Sequence, residues 1–194
     1  ERRKPDNLNA ANPRQANEFG HIVEMTPPDG DHSAETFKWE MLLRCGYPSV
    51  AEVGALWNPA TSKDGWFAAP DNCAVDSEGR LWVSTDQGAN AVRKTGRADG
   101  LFAVETEGAL RGTSKMFFRV PVGAEMCGPC MTPDGETMFV AVQHPGIDGV
   151  KDWKPFGRNP TFEDPATRWP DFKPDMPPRP SVVAIRKKGG GKIA

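Results

Sequence analysis

Phe67-Ala-Ala-Pro-Asp-Asn-Cys-Ala-Val-Asp-Ser-Glu-Gly-Arg-Leu-Trp-Val-Ser-Thr-Asp-Gln-Gly88 decides the fold class. It reads as a strand at Cys73–Val75, a tight turn at Asp76–Gly79 and a second strand at Leu81–Thr85, because β-favouring residues flank a turn-forming Asp-Ser-Glu-Gly. A second copy follows at Gly128-Pro-Cys-Met-Thr-Pro-Asp-Gly-Glu-Thr-Met-Phe-Val-Ala-Val-Gln-His-Pro-Gly146. Setting Leu81 on Met138 also sets Cys73 on Cys130, Val83 on Val140 and Asp86 on Gln143, an offset of 57 residues in every pair.

Two further strand runs, Leu101–Thr106 and Met116–Val120, lie between the copies. About four short strands per period is the pattern of a propeller blade. Long loops such as Asp86–Gly100 account for a period above the usual blade length. Upstream, residues 1–18 are polar and read as a loop or disordered lead-in. Gly20–Met25 is the first strand, Pro27–Asp31 a turn, and Phe37–Leu43 a second strand or a short helical stretch. Residues 19–146 are thus expected to hold the blades. Residues 147–180 carry eight of the 19 prolines and no period, so they are expected to form a surface excursion, with Trp153, Phe156 and Trp169 as candidates to pin it. Residues 181–194 are a last strand, Ser181–Arg186, and a flexible glycine-rich tail, Lys187–Ala194. The expectation is an all-β chain, a partial β-propeller of about two to three blades with long loops. A propeller closes with four or more blades, so the sequence is expected to be part of a larger assembly. Open blade edges could otherwise be covered by pairing into a homodimer.

A net charge of −2 argues against a nucleic-acid footprint, and no run approaches the roughly 18 apolar residues of a membrane span. The opening Glu1–Asp6 has no apolar run behind it, so no secretory signal is expected in these residues. Cys45, Cys73, Cys127 and Cys130 are too few and too irregular for a disulfide framework.

Propeller sites lie where loops enter and leave the innermost strands, and calcium there needs six to eight hard oxygens. Asp71-Asn72 precedes one such strand and Asp86 follows its partner, so both acids can point at a common rim; an ordinary turn and an Asx cap are the competing reading. Glu125 is an acid in an otherwise small and apolar loop equivalent to the one holding Asp71, and His144 leaves the second strand of the second copy on the rim of Asp86. Either a site role or a satisfied structural histidine suits His144. Cys127-Gly-Pro-Cys130 has the spacing of a redox motif, but it leads into a β-turn rather than a helix, which removes the usual cause of a low thiol pKa, and Cys130 is expected to repeat Cys73 as an inward blade residue.

The segments Asn12-Pro13, Gly20–Val23, Ala69–Asn72, Gly79–Asp86, Asp99–Thr106, Pro121–Glu125, Gly128–Gly135 and Gln143–Gly146 occur in an order that resembles the C-terminal region of the PhoX-type alkaline phosphatase family. The resemblance runs from about residue 9 to residue 146, with Ser181–Lys187 as a closing strand. It implies a six-bladed, calcium- and iron-dependent phosphomonoesterase, periplasmic or secreted through the twin-arginine route. Asp71 and Asp86 are implied as metal-binding carboxylates, with Glu125 as a further candidate and Asn72 and His144 on the rim. The family's iron-binding cysteine and an Arg-Pro-Glu motif belong upstream, so this chain alone is expected to be inactive. Its partners would be a phosphate monoester and the rest of the propeller. A calcium-dependent lactonase of the gluconolactonase type and a non-catalytic interaction propeller are the alternatives.

Overall fold

The structure, a computed structural model, describes residues 8–89 and 95–193. Positions 1–7 of the lead-in, 90–94 of the loop after Thr85, and Ala194 lie outside it. The described residues form nine strands in three antiparallel sheets. β1 (His21–Thr26) pairs with β2 (Lys38–Arg44). β3 (Pro70–Val75), β4 (Leu81–Thr85), β5 (Gly100–Val104) and β6 (Ser114–Arg119) form a four-stranded meander. β7 (Glu125–Met131), β8 (Thr137–Gln143) and β9 (Ser181–Arg186) form the third sheet. Phe37–Leu43, left between strand and helix by its sequence, is strand β2.

Strand β5 shows why the sheets stack. Leu101 packs into one core cluster with Met126, Met138, Val140 and Val142 of the third sheet. Its neighbours Phe102 and Val104 pack into another with Leu42 and Leu43 of the first. Successive strand side chains alternate between faces, so Leu-Phe-Ala-Val is apolar throughout because both faces are covered. Trp82 and Val83 divide in the same way. The middle sheet is therefore sandwiched, face to face, between the other two.

The outermost faces stay open. On the first sheet, Glu24 and Glu40 turn towards Arg111 of the middle sheet's loop, so the paired Met25 and Trp39 look the other way, and Met25 is 55% exposed. On the third, Phe139 pairs with Ala184 and Ala141 with Val182, opposite the buried Met138–Val140 face, and Val182 is 72% exposed.

The two hairpins repeat with one slip. Leu81 and Val83 face the sheet that precedes theirs in the chain, as do Met138 and Val140, so the 57-residue offset keeps their facing. Cys73 pairs with Val83, but Cys130 pairs with Phe139, one position short of Val140. The expected equivalence of the two cysteines as inward blade residues is thus corrected: directly paired residues share a face, the two lie on opposite faces, and both are exposed. The turn length differs between the hairpins, and a gap-free comparison cannot register that.

The described part of the lead-in, residues 8–18, is pinned. Arg14 donates to the carbonyls of Cys45 at 2.7 Å, Val53 at 3.1 Å and Gly20 at 2.5 Å. In the excursion only Trp169 of the three expected aromatics packs on a core cluster. Trp153 is exposed, and Phe156 lies under the Arg158 guanidinium. No helix among the described residues is long and apolar enough to cross a membrane.

Candidate metal and phosphate site

Strands β3 and β7 run side by side, and each is bulged at the same place. Pro70 pairs with Thr85 and Cys73 with Val83, which leaves Asp71 and Asn72 opposite Ser84 alone. Cys127 pairs with Ala141 and Cys130 with Phe139, which leaves Gly128 and Pro129 opposite Val140 alone. A bulge re-aims side chains out of the pleat. Here it exposes Asp71, whose carboxylate has no hydrogen-bond or ion-pair partner among the described residues.

Glu125 is the first residue of β7 rather than part of a loop, and it is fully engaged. Its Oε2 accepts from Gln143 Nε2 at 2.9 Å and contacts His144 Nε2 at 3.2 Å, while its Oε1 accepts from the Cys127 thiol at 3.1 Å. Burial pushes the Cys127 thiol up to about 12, helped by the Glu125 acceptor and the nearby charge of Asp71. This is the reverse of an activated thiol, and the Cys127–Cys130 pair sits on a bulged strand with both thiols free.

His144 follows β8 with a left-handed backbone, φ +34°. Its Nδ1 lies 3.4 Å from the Gly123 carbonyl and its Nε2 4.0 Å from Asp148. Burial pulls the imidazole pKa down, but the Glu125 hydrogen bond and the Asp148 charge outweigh it, so the net direction is upward. Asp148 is in turn fixed by the donation of its N–H to Gly123 O at 3.0 Å.

Asp86 stands at the same end of the β3–β4 hairpin, where its N–H donates to Ala69 O at 3.0 Å. Both its neighbours are anchored on buried Asp99. Thr85 Oγ1 donates to Asp99 Oδ1 at 2.5 Å, and Gln87 N–H donates to the same oxygen at 3.1 Å. Burial pushes the Asp99 carboxyl up to about 7, with the Asp86 charge adding to it and the hydrogen bonds opposing it.

The structure thus brings Asp71, Asn72, Glu125 and His144 to the β3–β7 end, with Asp86 at the same end of the β3–β4 hairpin, beside Asp99 of the segment leading into β5. Among the described residues no three His, Cys, Asp or Glu side chains converge closely enough to hold a metal by themselves. Asp99, Gln143, Cys127 and Asp148 join the site as partners that local sequence does not mark. Asp99-Gly100 before an apolar strand looks like any turn, and Asp148 follows a Pro-Gly that hides its return to Gly123.

The donor set can be tested against the metals the family resemblance implies. Asp71 offers an exposed carboxylate without a hydrogen-bond or ion-pair partner among the described residues, hard oxygens suited to calcium. Iron is served less well, since the one cysteine in the group keeps its proton for Glu125.

Comparison with known proteins gives the family. The family model described as alkaline phosphatase PhoX matches residues 1–146. A solved structure, Pseudomonas fluorescens PhoX in complex with vanadate, a transition state analogue, superposes with a TM-score of 0.75 at 25% sequence identity, covering 99% of this chain and 31% of that one. This chain therefore spans under a third of that protein's length. No curated protein sequence matches significantly. With three quarters of its length inside the family model and nearly all of it on the matching fold, the chain belongs to the alkaline phosphatase PhoX family.

Proposed function

We propose that this chain forms blades of a β-propeller phosphomonoesterase, and that Asp71 and Asp86, with Glu125 as a further carboxylate, furnish part of a calcium site at the β3–β7 end. The observation that carries the reading is the exposed, unpartnered Asp71 carboxylate on a bulge, in a chain of the alkaline phosphatase PhoX family. The propeller reading is supported by three sheets stacked face to face with apolar surface open at both ends, where further blades would continue the stack. The remaining calcium ligands, and those of iron, would come from outside these 194 residues.

When bound, the metals would neutralise phosphate charge and activate an oxygen nucleophile. The chain's own residues do the rest. The bulge presents Asp71 to the rim. Asp99 anchors both neighbours of Asp86, Thr85 through its hydroxyl and Gln87 through its backbone N–H. Gln143, His144 and Cys127 hold Glu125 in one rotamer, so little reorganisation accompanies ligand binding. The reading carries a periplasmic or secreted location for the full-length protein.

The test is hydrolysis of p-nitrophenyl phosphate by the protein in its full natural length, with calcium and iron supplied. Turnover that is abolished by chelation and inhibited by vanadate is expected, with none from residues 1–194 alone. Lactone hydrolysis without phosphomonoester turnover, or activity indifferent to chelators, would refute it.

A further inference from the structure

The two bulges touch, and the contact runs through Asn72. Its Oδ1 accepts from Gly128 N–H at 3.0 Å, across from one sheet to the next. A bulge leaves a backbone group out of its own ladder, and Gly128 is the first residue of the second bulge. Asn72 satisfies that donor. The Asn72 carbonyl, in turn, accepts from Ser84 Oγ at 3.1 Å, and Ser84 is fully buried. Asn72 is therefore held at both ends, its backbone by its own sheet and its side chain by the neighbouring one. The carboxylate of Asp71, the preceding residue on the same bulge, has no hydrogen-bond or ion-pair partner of its own among the described residues.

The chemistry at each position suits this role. The asparagine amide supplies an acceptor without adding another negative charge to a rim that already carries Asp71 and Glu125. A serine would fall short, and an alanine would leave the Gly128 donor to water. Gly128 adopts φ +53°, and a Cβ there would meet nothing within 4 Å. The glycine is needed for its backbone conformation, not for space.

We infer that Asn72 is a positioning residue: it locks the bulge of β3 to the bulge of β7 and so fixes the distance between the Asp71 carboxylate and the Glu125 end of β7, which sets the spacing of the oxygens offered to a cation. The inference rests on the proposed cation role of Asp71.

The experiment is calcium titration by calorimetry on the full natural-length protein, with the unfolding midpoint of each calcium-free variant measured alongside. Asn72→Ala should weaken calcium binding about tenfold, the scale of one lost hydrogen bond to a functional group. Asn72→Asp, which keeps the acceptor oxygen, should restore binding to at least the wild-type level. Ser84→Ala, too deep to touch a cation, should weaken binding alone and add little on top of Asn72→Ala, because both loosen one bracket. If Ser84→Ala binds calcium as the wild type does, Asn72 acts as a ligand or not at all, and the positioning role is overturned. If Asp71→Asn loses calcium while Asn72→Ala does not, the positioning role alone falls. If Asp71→Asn keeps wild-type binding, the cation site is wrong and the positioning role falls with it.

Discussion

Asp76, in the turn between β3 and β4, offers a stability prediction that its matching turn controls. Its Oδ1 accepts from the N–H groups of Glu78 at 2.9 Å and Arg80 at 3.0 Å. Its Oδ2 accepts from Arg80 Nε at 3.0 Å and Trp82 Nε1 at 2.9 Å. The carboxylate is 3% exposed and Trp82 is 2% exposed. In Asp76→Ala the buried indole N–H loses its acceptor, which costs about 1–3 kcal/mol. The turn amides can turn to water and lose about 0.5–1 kcal/mol each. The expected total is about 3 kcal/mol, read as a shift in urea midpoint by circular dichroism. Asp134 accepts from Thr132 Oγ1 and Glu136 N–H in the matching turn, but in the open. Asp134→Ala should therefore move the midpoint within experimental error. Burial raises the Asp76 pKa, yet its four hydrogen bonds outweigh burial and the net direction is downward. A depressed carboxyl contributes stability above its unfolded pKa and loses it as pH falls through the folded value. The Asp76→Ala penalty should accordingly shrink in acid. Equal losses from the two variants, or a neutral Asp76→Ala, would show that the buried indole N–H does not depend on the Asp76 carboxylate.

Cys127, whose thiol is pushed up to about 12, should resist iodoacetamide at pH 8, while the exposed Cys73 and Cys130 react; peptide mass mapping reads the difference. The raised pKa of His144 means that its pairing with Glu125 stabilises the fold below the ordinary imidazole value and fades as pH rises through the folded one. His144→Gln should thus lose more stability at pH 6 than at pH 9, measured by thermal melting of the metal-free protein. Leu101, buried between the middle and third sheets, should cost about 2–5 kcal/mol as Leu101→Ala, read in the same melts.

Much of the fold was written in local patterns. Leu81–Thr85 begins and ends where its β-favouring residues do, since Gly79 takes φ +83° before it and the Asp76 turn closes on Arg80. The doubly buried middle sheet shows in Leu101–Val104 as an unbroken apolar run. The one-residue slip between the hairpins was not legible, because turn length and bulges alter partners without altering composition. Site legibility divides along the same line. Asp71 and Asp86 stand out as acids flanking strands. The engagement of Glu125 by Gln143, His144 and Cys127 depends on which residues the β7–β8 register sets opposite each other. Asn72 looks like any turn asparagine until Gly128, 56 positions away, is brought to its side chain.

A catalytic divalent cation at the end of β3, as proposed, makes calcium activation of phosphomonoester hydrolysis depend on Asp71. With the full natural-length protein, Asp71→Asn should shift the calcium concentration for half-maximal rate upward by about tenfold or more, the scale of one lost charged ligand. A calcium-activation curve that overlays the wild type's would contradict it.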